Sequence, residues 1–255
     1  MQFTSEQHLD SASGRGGVLE RRFVLGDIPG ILWTPGFGSA PAPLVLVGHP
    51  GGLPTMYPRL VARAVHAVAN GFAAATIELP GCGERPRSVA ADEARAELRQ
   101  AVAAGAPVAD EIVDRLVLPL VEQAAPEWRA ALDALLAVPG IGGPVGYSGG
   151  VFALGIRLAL VEPRIAAAVL FAGSYVPRAM LDEARRVRIP LLVLLQWDDE
   201  GNDRRQALEV FDALGSREKT LHANMGGHTG VPWFEGDDAN RFFARHLKSA
   251  DSTDV

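Results

Sequence analysis

Two hydrophobic periodicities alternate along this chain. Short apolar runs of strand length are separated by longer segments in which apolar residues recur with helical spacing. This alternation is typical of a mostly parallel sheet that is covered by helices on both faces. We predict strands at residues 43–48, 73–79, 143–147, 166–172, 190–196 and 219–223. We predict helices at about residues 57–69, 127–137, 150–161, 178–187, 203–214 and 237–248.

The N-terminal part of the chain has a different pattern. VLERRFVLG, which begins at residue 18, and ILWTP at 31–35 flank a turn around Asp27 to Gly30, and they predict an antiparallel hairpin at a sheet edge. Residues 1–17 are polar and rich in Gly and Ser, so we predict a flexible tail. No change in composition divides residues 18–255, which we expect to form a single domain.

One connection is too long for a simple repeat of strand and helix. Residues 84–126 carry helical periodicity, yet they precede the helix that leads into strand 143–147. A lid, a pocket wall or a homodimer contact is the usual role of such an excursion, and a merely structural helical insert is the alternative.

Composition and charge narrow the range of partners. The sequence has 24 Lys and Arg against 30 Asp and Glu, a net charge of −6, and no basic run longer than a pair. These values disfavour nucleic acid and membranes as partners. The single cysteine, Cys82, and the lack of an apolar signal segment near the N-terminus favour a cytoplasmic location. Because the common zinc and nucleotide motifs are absent from the sequence, we expect neither a metal nor a cofactor.

Candidate chemistry centres on GPVGYSGGVFALG, residues 143–155. Its G-x-S-x-G pattern is weak alone, but here a predicted strand ends at Tyr147 and a predicted helix begins near Gly150. We therefore predict that Ser148 occupies a sharp, strained turn that holds its Oγ clear of the sheet. The flanking glycines would keep neighbouring Cβ atoms from colliding there.

A serine hydroxyl needs a histidine base and an acid that orients it, and both should follow later strands of the sheet. His228, in the Gly-rich loop NMGGHTG after strand 219–223, is the predicted base. The acid should come from LLQWDDEGND, after strand 190–196. Asp199 is preferred because it lies three residues past the strand end, and Asp198 is the alternative.

Attack on a carbonyl also requires N–H donors for the oxyanion. Gly149, which follows the serine, supplies one candidate. The second should come from the loop after strand 43–48, which reads GHPGGL. Pro50 has no N–H, so the donor is Gly51, Gly52 or Leu53.

Large apolar side chains are expected around the mouth of this site and suggest a mainly apolar pocket. For Tyr147 and Trp197, ordinary core packing is the alternative. The predicted pocket residues are Leu53, Met56, Tyr57, Tyr147, Trp197 and Trp233.

Five segments in this order, GHPGG, ELPGCGERP, GYSGG, QWDDE and GGHTGVP, resemble the α/β-hydrolase superfamily, and more narrowly its dienelactone-hydrolase-like branch. The resemblance covers about residues 20–248. It implies the α/β-hydrolase fold, with a central, mostly parallel, twisted sheet. It also implies a triad of Ser148, Asp199 and His228, with an oxyanion hole at Gly51, Gly52 and Gly149.

The sequence departs from this family pattern at two positions. Dienelactone hydrolases carry a Cys nucleophile, whereas Ser148 is present here, and Glu78 stands where many relatives have Asp. We expect Glu78 to be a structural carboxylate that holds the PGCG turn.

These observations predict a serine hydrolase that cleaves a small-molecule carboxylic ester, lactone or thioester through an acyl-enzyme. The alternative is a protein of this fold reused for non-hydrolytic chemistry, such as a cyclisation, or for ligand binding.

Overall fold

A central sheet of nine strands organises the protein. The computed structural model describes residues 1–9, 17–36 and 41–248. In chain order the strands are β1 Gln2–Leu9, β2 Val18–Leu25, β3 Ile28–Pro35, β4 Ala42–Gly48, β5 Ala73–Ile77, β6 Ile141–Gly149, β7 Ile165–Phe171, β8 Leu191–Gln196 and β9 Lys219–Asn224. Their order across the sheet is β1-β2-β3-β5-β4-β6-β7-β8-β9. The pairs from β1 to β5 are antiparallel, and all pairs from β5 to β9 are parallel.

Helices cover both faces of the parallel part, as the apolar pattern predicts. They are α1 Leu53–Ala69, α2 Val89–Ala103, α3 Asp110–Leu136, α4 Phe152–Val161, α5 Leu181–Ala184, α6 Arg204–Ala213 and α7 Phe234–Leu247. None of the helices in the described ranges is long and apolar enough to cross a membrane.

Strand β4 shows why the parallel strands are continuous apolar runs. Leu44 and Leu46 pack into the core on the side of α3 and α4, while Val45 and Val47 pack on the side of α1 and α7. Because successive side chains of a strand point to opposite faces, a strand covered on both sides needs an apolar residue at every position.

The N-terminal segment differs from its prediction as a flexible tail. Residues 2–9 form β1, which pairs with β2 along its length, so the hairpin of β2 and β3 is correct but does not lie at the edge. All side chains of β1 except that of Leu9 are exposed. The strand is held mainly by backbone pairing with β2. Because it buries no face, its sequence has no apolar pattern that would predict a strand. The rest of the predicted tail, residues 10–16, lies outside the described residues.

The excursion at 84–126 forms a helical hairpin of α2 and α3. The helix predicted at 127–137 is the end of α3, which runs without interruption from residue 110 and contains Pro119 and Pro126. Both halves of α3 pack into the core, the first through Val113 and Val121 and the second through Trp128 and Leu132, so α3 is a structural layer. Helix α2 buries only Ala94 and packs on α3. A lid or pocket-wall role for α2 stays a prediction.

The packing of β6 on α7 yields a test of the fold. A Cβ on Gly146 would lie 2.6 Å from Phe243 Cε1 and 2.9 Å from Leu247 Cδ1. We expect Gly146→Ala to lower the free energy of unfolding in urea by about 1–3 kcal/mol, because overpacking shifts side chains from their rotamers. Gly17→Ala is the control, since the nearest atom to its Cβ is Leu9 O at 3.6 Å. Equal stability of the two variants would contradict this packing.

Candidate active site

The strand order reverses at β4, and this reversal places the loops after β4 and β6 side by side. After β4 the chain adds β5 on one side and later β6 on the other. In the register of β4 and β6, Val47 pairs with Ser148 and Gly48 pairs with Gly149. In open α/β sheets the crevice at such a switch point, at the carboxyl ends of the strands, is where ligands bind. The GHPGG loop and the GYSGG segment meet at this crevice.

His228 and Asp199 form a hydrogen-bonded pair at the same end of the sheet. His228 Nδ1 lies 2.7 Å from Asp199 Oδ2, and the other carboxylate oxygen accepts the Gly201 N–H at 2.8 Å. The Asp199 side chain is 3% exposed and that of His228 is 48% exposed. Because a carboxylate only accepts, Nδ1 carries the hydrogen, and Nε2 is left as the proton acceptor.

Asp198, the alternative acid, has a different task. Its Oδ1 accepts the N–H groups of Gly226 and Gly227, both at 2.9 Å. These backbone hydrogen bonds, from Gly227 and then Gly226, hold the pKa of Asp198 below its usual range. Gln196 Nε2 also donates to Gly227 O at 2.9 Å. Asp198 therefore anchors the loop that carries His228, while Asp199 contacts the ring itself.

The turn after β6 falls one residue later than predicted. Strand β6 continues through Gly149, and the left-handed conformations belong to Gly149 and Gly150, each with a φ of 75°. No non-glycine residue in the described ranges has a positive φ, so the prediction of backbone strain at Ser148 is wrong. A Cβ on Gly150 would lie 2.7 Å from the Tyr147 hydroxyl, which explains why this turn requires glycine.

The Ser148 hydroxyl contacts an arginine that the sequence analysis missed. Arg63 Nη2 donates to Ser148 Oγ at 2.9 Å and to Ser148 O at 2.7 Å, and Nη1 donates to Gly48 O at 3.0 Å. None of the hydrogen bonds among the described residues joins Ser148 Oγ to His228. The helical spacing of α1 could have indicated this residue, because Arg63 adjoins the buried apolar stripe of Leu60, Ala64 and Ala67.

The loop after β4 is held by a buried carboxylate. The Leu53 N–H donates to both oxygens of Glu78, at 2.9 and 3.1 Å, so it is not free for an oxyanion. The N–H groups of Gly51 and Gly52 take part in none of the described hydrogen bonds. Burial raises the pKa of Glu78. A Cβ on Gly83 would collide with this carboxylate, so the carboxylate packs against the PGCG turn, but its hydrogen bonds go to Leu53 and its role in holding that turn stays a prediction.

His49 fixes the same loop from within the sheet. Its ring is buried, and Nε2 lies 2.9 Å from Ile77 O on the neighbouring strand. Because a carbonyl only accepts, Nε2 carries the hydrogen. Burial lowers the pKa of His49, which favours the neutral ring. His49 is thus a structural residue.

Half of the predicted pocket residues lie elsewhere. Tyr147 is fully buried, with its ring against Trp128 at 6.1 Å between centroids, so its core alternative is correct. Leu53 is the first residue of α1, and its side chain is buried in the core. Tyr57 donates its hydroxyl to Glu20 on β2 at 2.8 Å. The sequence does not reveal these contacts of Tyr147, Leu53 and Tyr57, because they depend on which helices and strands pack against each residue.

Of the other three pocket candidates, Trp197 and Trp233 are exposed and Met56 is half-buried. Met56 lies beside Gly51, where a built Cβ would be 3.5 Å from Met56 Cγ. Trp197 is 42% exposed and stacks under the Arg204 guanidinium at 4.3 Å. Trp233 is 81% exposed. We keep Met56, Trp197 and Trp233 as candidates for substrate contact.

A small cavity of about 60 Å³ lies on the α1 and α7 side of Ser148. Arg63, His66 and Asn240 contribute its polar lining. Both ring nitrogens of His66 are engaged, Nε2 with Asp237 at 2.9 Å and Nδ1 with Asn240 at 3.1 Å. His66 is therefore not a free base for Ser148, which leaves His228 as the candidate.

One further cluster has the chemistry of metal ligands. Single ligand atoms of His222, Glu235 and Asp238 lie within 4.8 Å of one another. The two Glu235 oxygens bond His222 Nδ1 at 2.8 Å and Asn224 Nδ2 at 2.7 Å. These bonds tie β9 to α7 and account for the cluster without an ion. His222 is thus a strand histidine whose Nδ1 is engaged by Glu235.

Solved structures resemble the whole of this chain. A cold-adapted esterase from an Arctic intertidal metagenomic library, in complex with PEG, is 28% identical, with a TM-score of 0.74 over 97% of this chain and 100% of that chain. An acetyl xylan esterase from Paenibacillus sp. R4 is 15% identical, with a TM-score of 0.59 over 95% and 88% of the two chains. TT1662 from Thermus thermophilus is 18% identical, with a TM-score of 0.62 over 89% and 97%. No family model and no curated protein matches the sequence.

The protein is an enzyme with the α/β-hydrolase fold. The two structures below 25% identity support the fold alone, and the metagenomic esterase adds a similarity of sequence over the full length. Ser148 lies near the end of β6, and Asp199 and His228 follow β8 and β9, which matches the chain order of nucleophile, acid and histidine in this fold.

The roles of Asp198 and Asp199 can be separated by amide substitution. We expect Asp199→Asn to lower kcat for a p-nitrophenyl ester by about 10²–10⁴-fold, because the His228 ring loses the carboxylate that fixes its tautomer. Asp198→Asn should cost at most about tenfold, because the amide oxygen still accepts the Gly226 and Gly227 N–H groups. A larger loss in Asp198→Asn would assign the acid to Asp198.

Proposed function

We propose that this α/β-hydrolase is a serine esterase in which Ser148 attacks a small-molecule carboxylic ester, lactone or thioester. The observation that carries the proposal is the His228–Asp199 pair, 2.7 Å apart, at the same sheet edge as Ser148. The full-length similarity to a metagenomic esterase supports the same reaction class. We place the protein in the dienelactone-hydrolase-like branch on its motifs, with Ser148 in place of Cys.

The first half of the proposed reaction forms an acyl-enzyme. The Ser148 hydroxyl accepts one hydrogen bond from Arg63, and its own hydrogen stays available to donate. His228 Nε2 takes this proton as Oγ bonds to the substrate carbonyl carbon. Hydrogen bonds of this kind are often long in a free enzyme and shorten when substrate is bound. The alcohol or thiol then leaves with the proton from His228.

The second half returns the free enzyme. Water gives a proton to His228 and attacks the acyl carbon, and Ser148 Oγ leaves with that proton while the acid is released. In both halves the carbonyl oxygen becomes negative and needs N–H donors. We assign them to Gly149 and to Gly51 or Gly52, since Glu78 already occupies Leu53.

The accessible apolar side chains support a substrate with an apolar part. Trp197 and Trp233 are exposed near the loops of Asp199 and His228, and Met56 lies beside the Gly51 turn. A site built of large apolar side chains with few polar groups favours apolar acyl or alcohol groups.

A fluorophosphonate probe with mass spectrometry tests the nucleophile. We expect labelling of the folded protein at Ser148, no labelling in Ser148→Ala, and loss of labelling in His228→Ala, because the hydroxyl is a weak nucleophile without its base. The same variants should lose hydrolysis of a panel of p-nitrophenyl esters, lactones and thioesters.

Exposed residues of the same types provide the controls. Ser88→Ala, at the start of α2, and His8→Ala, in β1, should keep both labelling and hydrolysis. Folded wild-type protein that is neither labelled nor active on the panel would contradict the esterase and favour non-hydrolytic chemistry or ligand binding.

A further inference from the structure

We propose that Arg63 is a positioning residue for the catalytic serine. Its guanidinium joins the end of β6 to the end of β4 and places a positive charge beside Ser148 Oγ. This inference rests on the proposed role of Ser148 as the nucleophile. It concerns how the hydroxyl and the oxyanion loop are held in register. It is independent of which ester is the substrate.

The guanidinium bridges two neighbouring strand ends. It bonds Gly48 O through Nη1 at 3.0 Å and Ser148 O through Nη2 at 2.7 Å. Gly48 is the last residue before the His49–Gly52 loop, which supplies the candidate oxyanion donors. A planar guanidinium presents its donors in a rigid fork, so it fixes the separation of two acceptors better than an ammonium does.

The charge of Arg63 has no carboxylate partner. Within the described parts of the chain, no Asp or Glu oxygen lies within salt-bridge distance of its guanidinium, and its acceptors are the two carbonyls and Ser148 Oγ. Burial lowers the pKa of Arg63 to about 10, so it stays protonated at neutral pH. A charge that only neutral acceptors compensate interacts more strongly with an oxygen that becomes negative.

The turn glycine makes room for this contact. A Cβ on Gly149 would lie 2.7 Å from Arg63 Nη2 and 3.1 Å from Nη1. Because Gly149 has no side chain, it leaves space for the guanidinium and can also adopt its positive φ. The cavity of about 60 Å³ is lined by Arg63 and also by His66, whose ring nitrogens are both engaged elsewhere.

This arrangement predicts an effect on two chemical steps. As Oγ transfers its proton to His228, Arg63 stabilises the negative charge that develops on this oxygen. When the acyl-enzyme is hydrolysed, Oγ is the leaving group, and the same charge stabilises its departure. Arg63 should therefore influence acylation and deacylation, with little effect on substrate binding.

Three variants test the proposal by the rate of fluorophosphonate labelling and by kcat and KM for a p-nitrophenyl ester. We expect Arg63→Met to lower the labelling rate and kcat by about 10- to 100-fold, the usual value of a charged hydrogen bond, with KM nearly unchanged. Arg63→Lys should be intermediate, because an ammonium keeps the charge but not the fork. Arg59→Met, an exposed arginine of the same helix, should behave as wild type.

Chemical rescue separates this role from a merely structural one. In Arg63→Ala the lost side chain leaves space that adjoins the cavity, and millimolar ethylguanidine should restore part of kcat. A change in stability alone would give no such rescue. Circular dichroism and thermal unfolding establish that each variant is folded. If Arg63→Met does not fold, Arg63→Lys carries the test.

Two different failures are distinguishable. A wild-type labelling rate in folded Arg63→Met or Arg63→Lys would overturn the role of Arg63 and leave the esterase intact. Faster labelling in either variant would overturn it too, because Arg63 would then hold Ser148 away from His228. Absence of labelling and hydrolysis in wild type would overturn the proposed function, and this inference with it.

Discussion

The parallel pairing of β4 with β6 is the constraint on which the active site depends. These strands are distant in sequence, yet their register sets Val47 opposite Ser148 and Gly48 opposite Gly149. Both strands are buried on two faces, so neither can slip without moving apolar side chains out of the core. The relative positions of the His49–Gly52 loop and Ser148 are thus determined by core packing.

Charged side chains then fix each loop at this sheet end, and each has a separate attachment. Glu78 holds the start of α1 through Leu53, and Asp198 holds the Gly-rich loop through backbone N–H groups. The Asp199 side chain is nearly inaccessible and contacts the His228 ring, while Arg63 joins two carbonyls and the Ser148 hydroxyl. Backbone anchoring by charged groups leaves the candidate catalytic side chains with few competing partners, which is a form of preorganisation.

Much of this arrangement follows from local sequence. The six parallel strands are predicted near their observed bounds, since buried strands need continuous apolar runs, and so are most of the helices, with α3 the main exception. Asp199 and His228 were predicted by their distance from strand ends, and the structure brings the two together at 2.7 Å. Three features are not evident from the apolar pattern. The exposed strand β1 is held by pairing with β2, α3 continues through two prolines, and Tyr147 is buried against Trp128 of α3. Each depends on contacts with another segment of the chain.

The sequence by itself determined the class of fold and the chemical groups at the end of the sheet, because periodicity and motif spacing are local properties. Only the tertiary structure decided which groups touch. It assigned the ring contact to Asp199 and the loop to Asp198, moved the turn to Gly149 and Gly150, and brought Arg63 from α1 to the Ser148 hydroxyl. Such contacts join residues far apart in the chain, and their geometry depends on how the layers pack rather than on any local pattern.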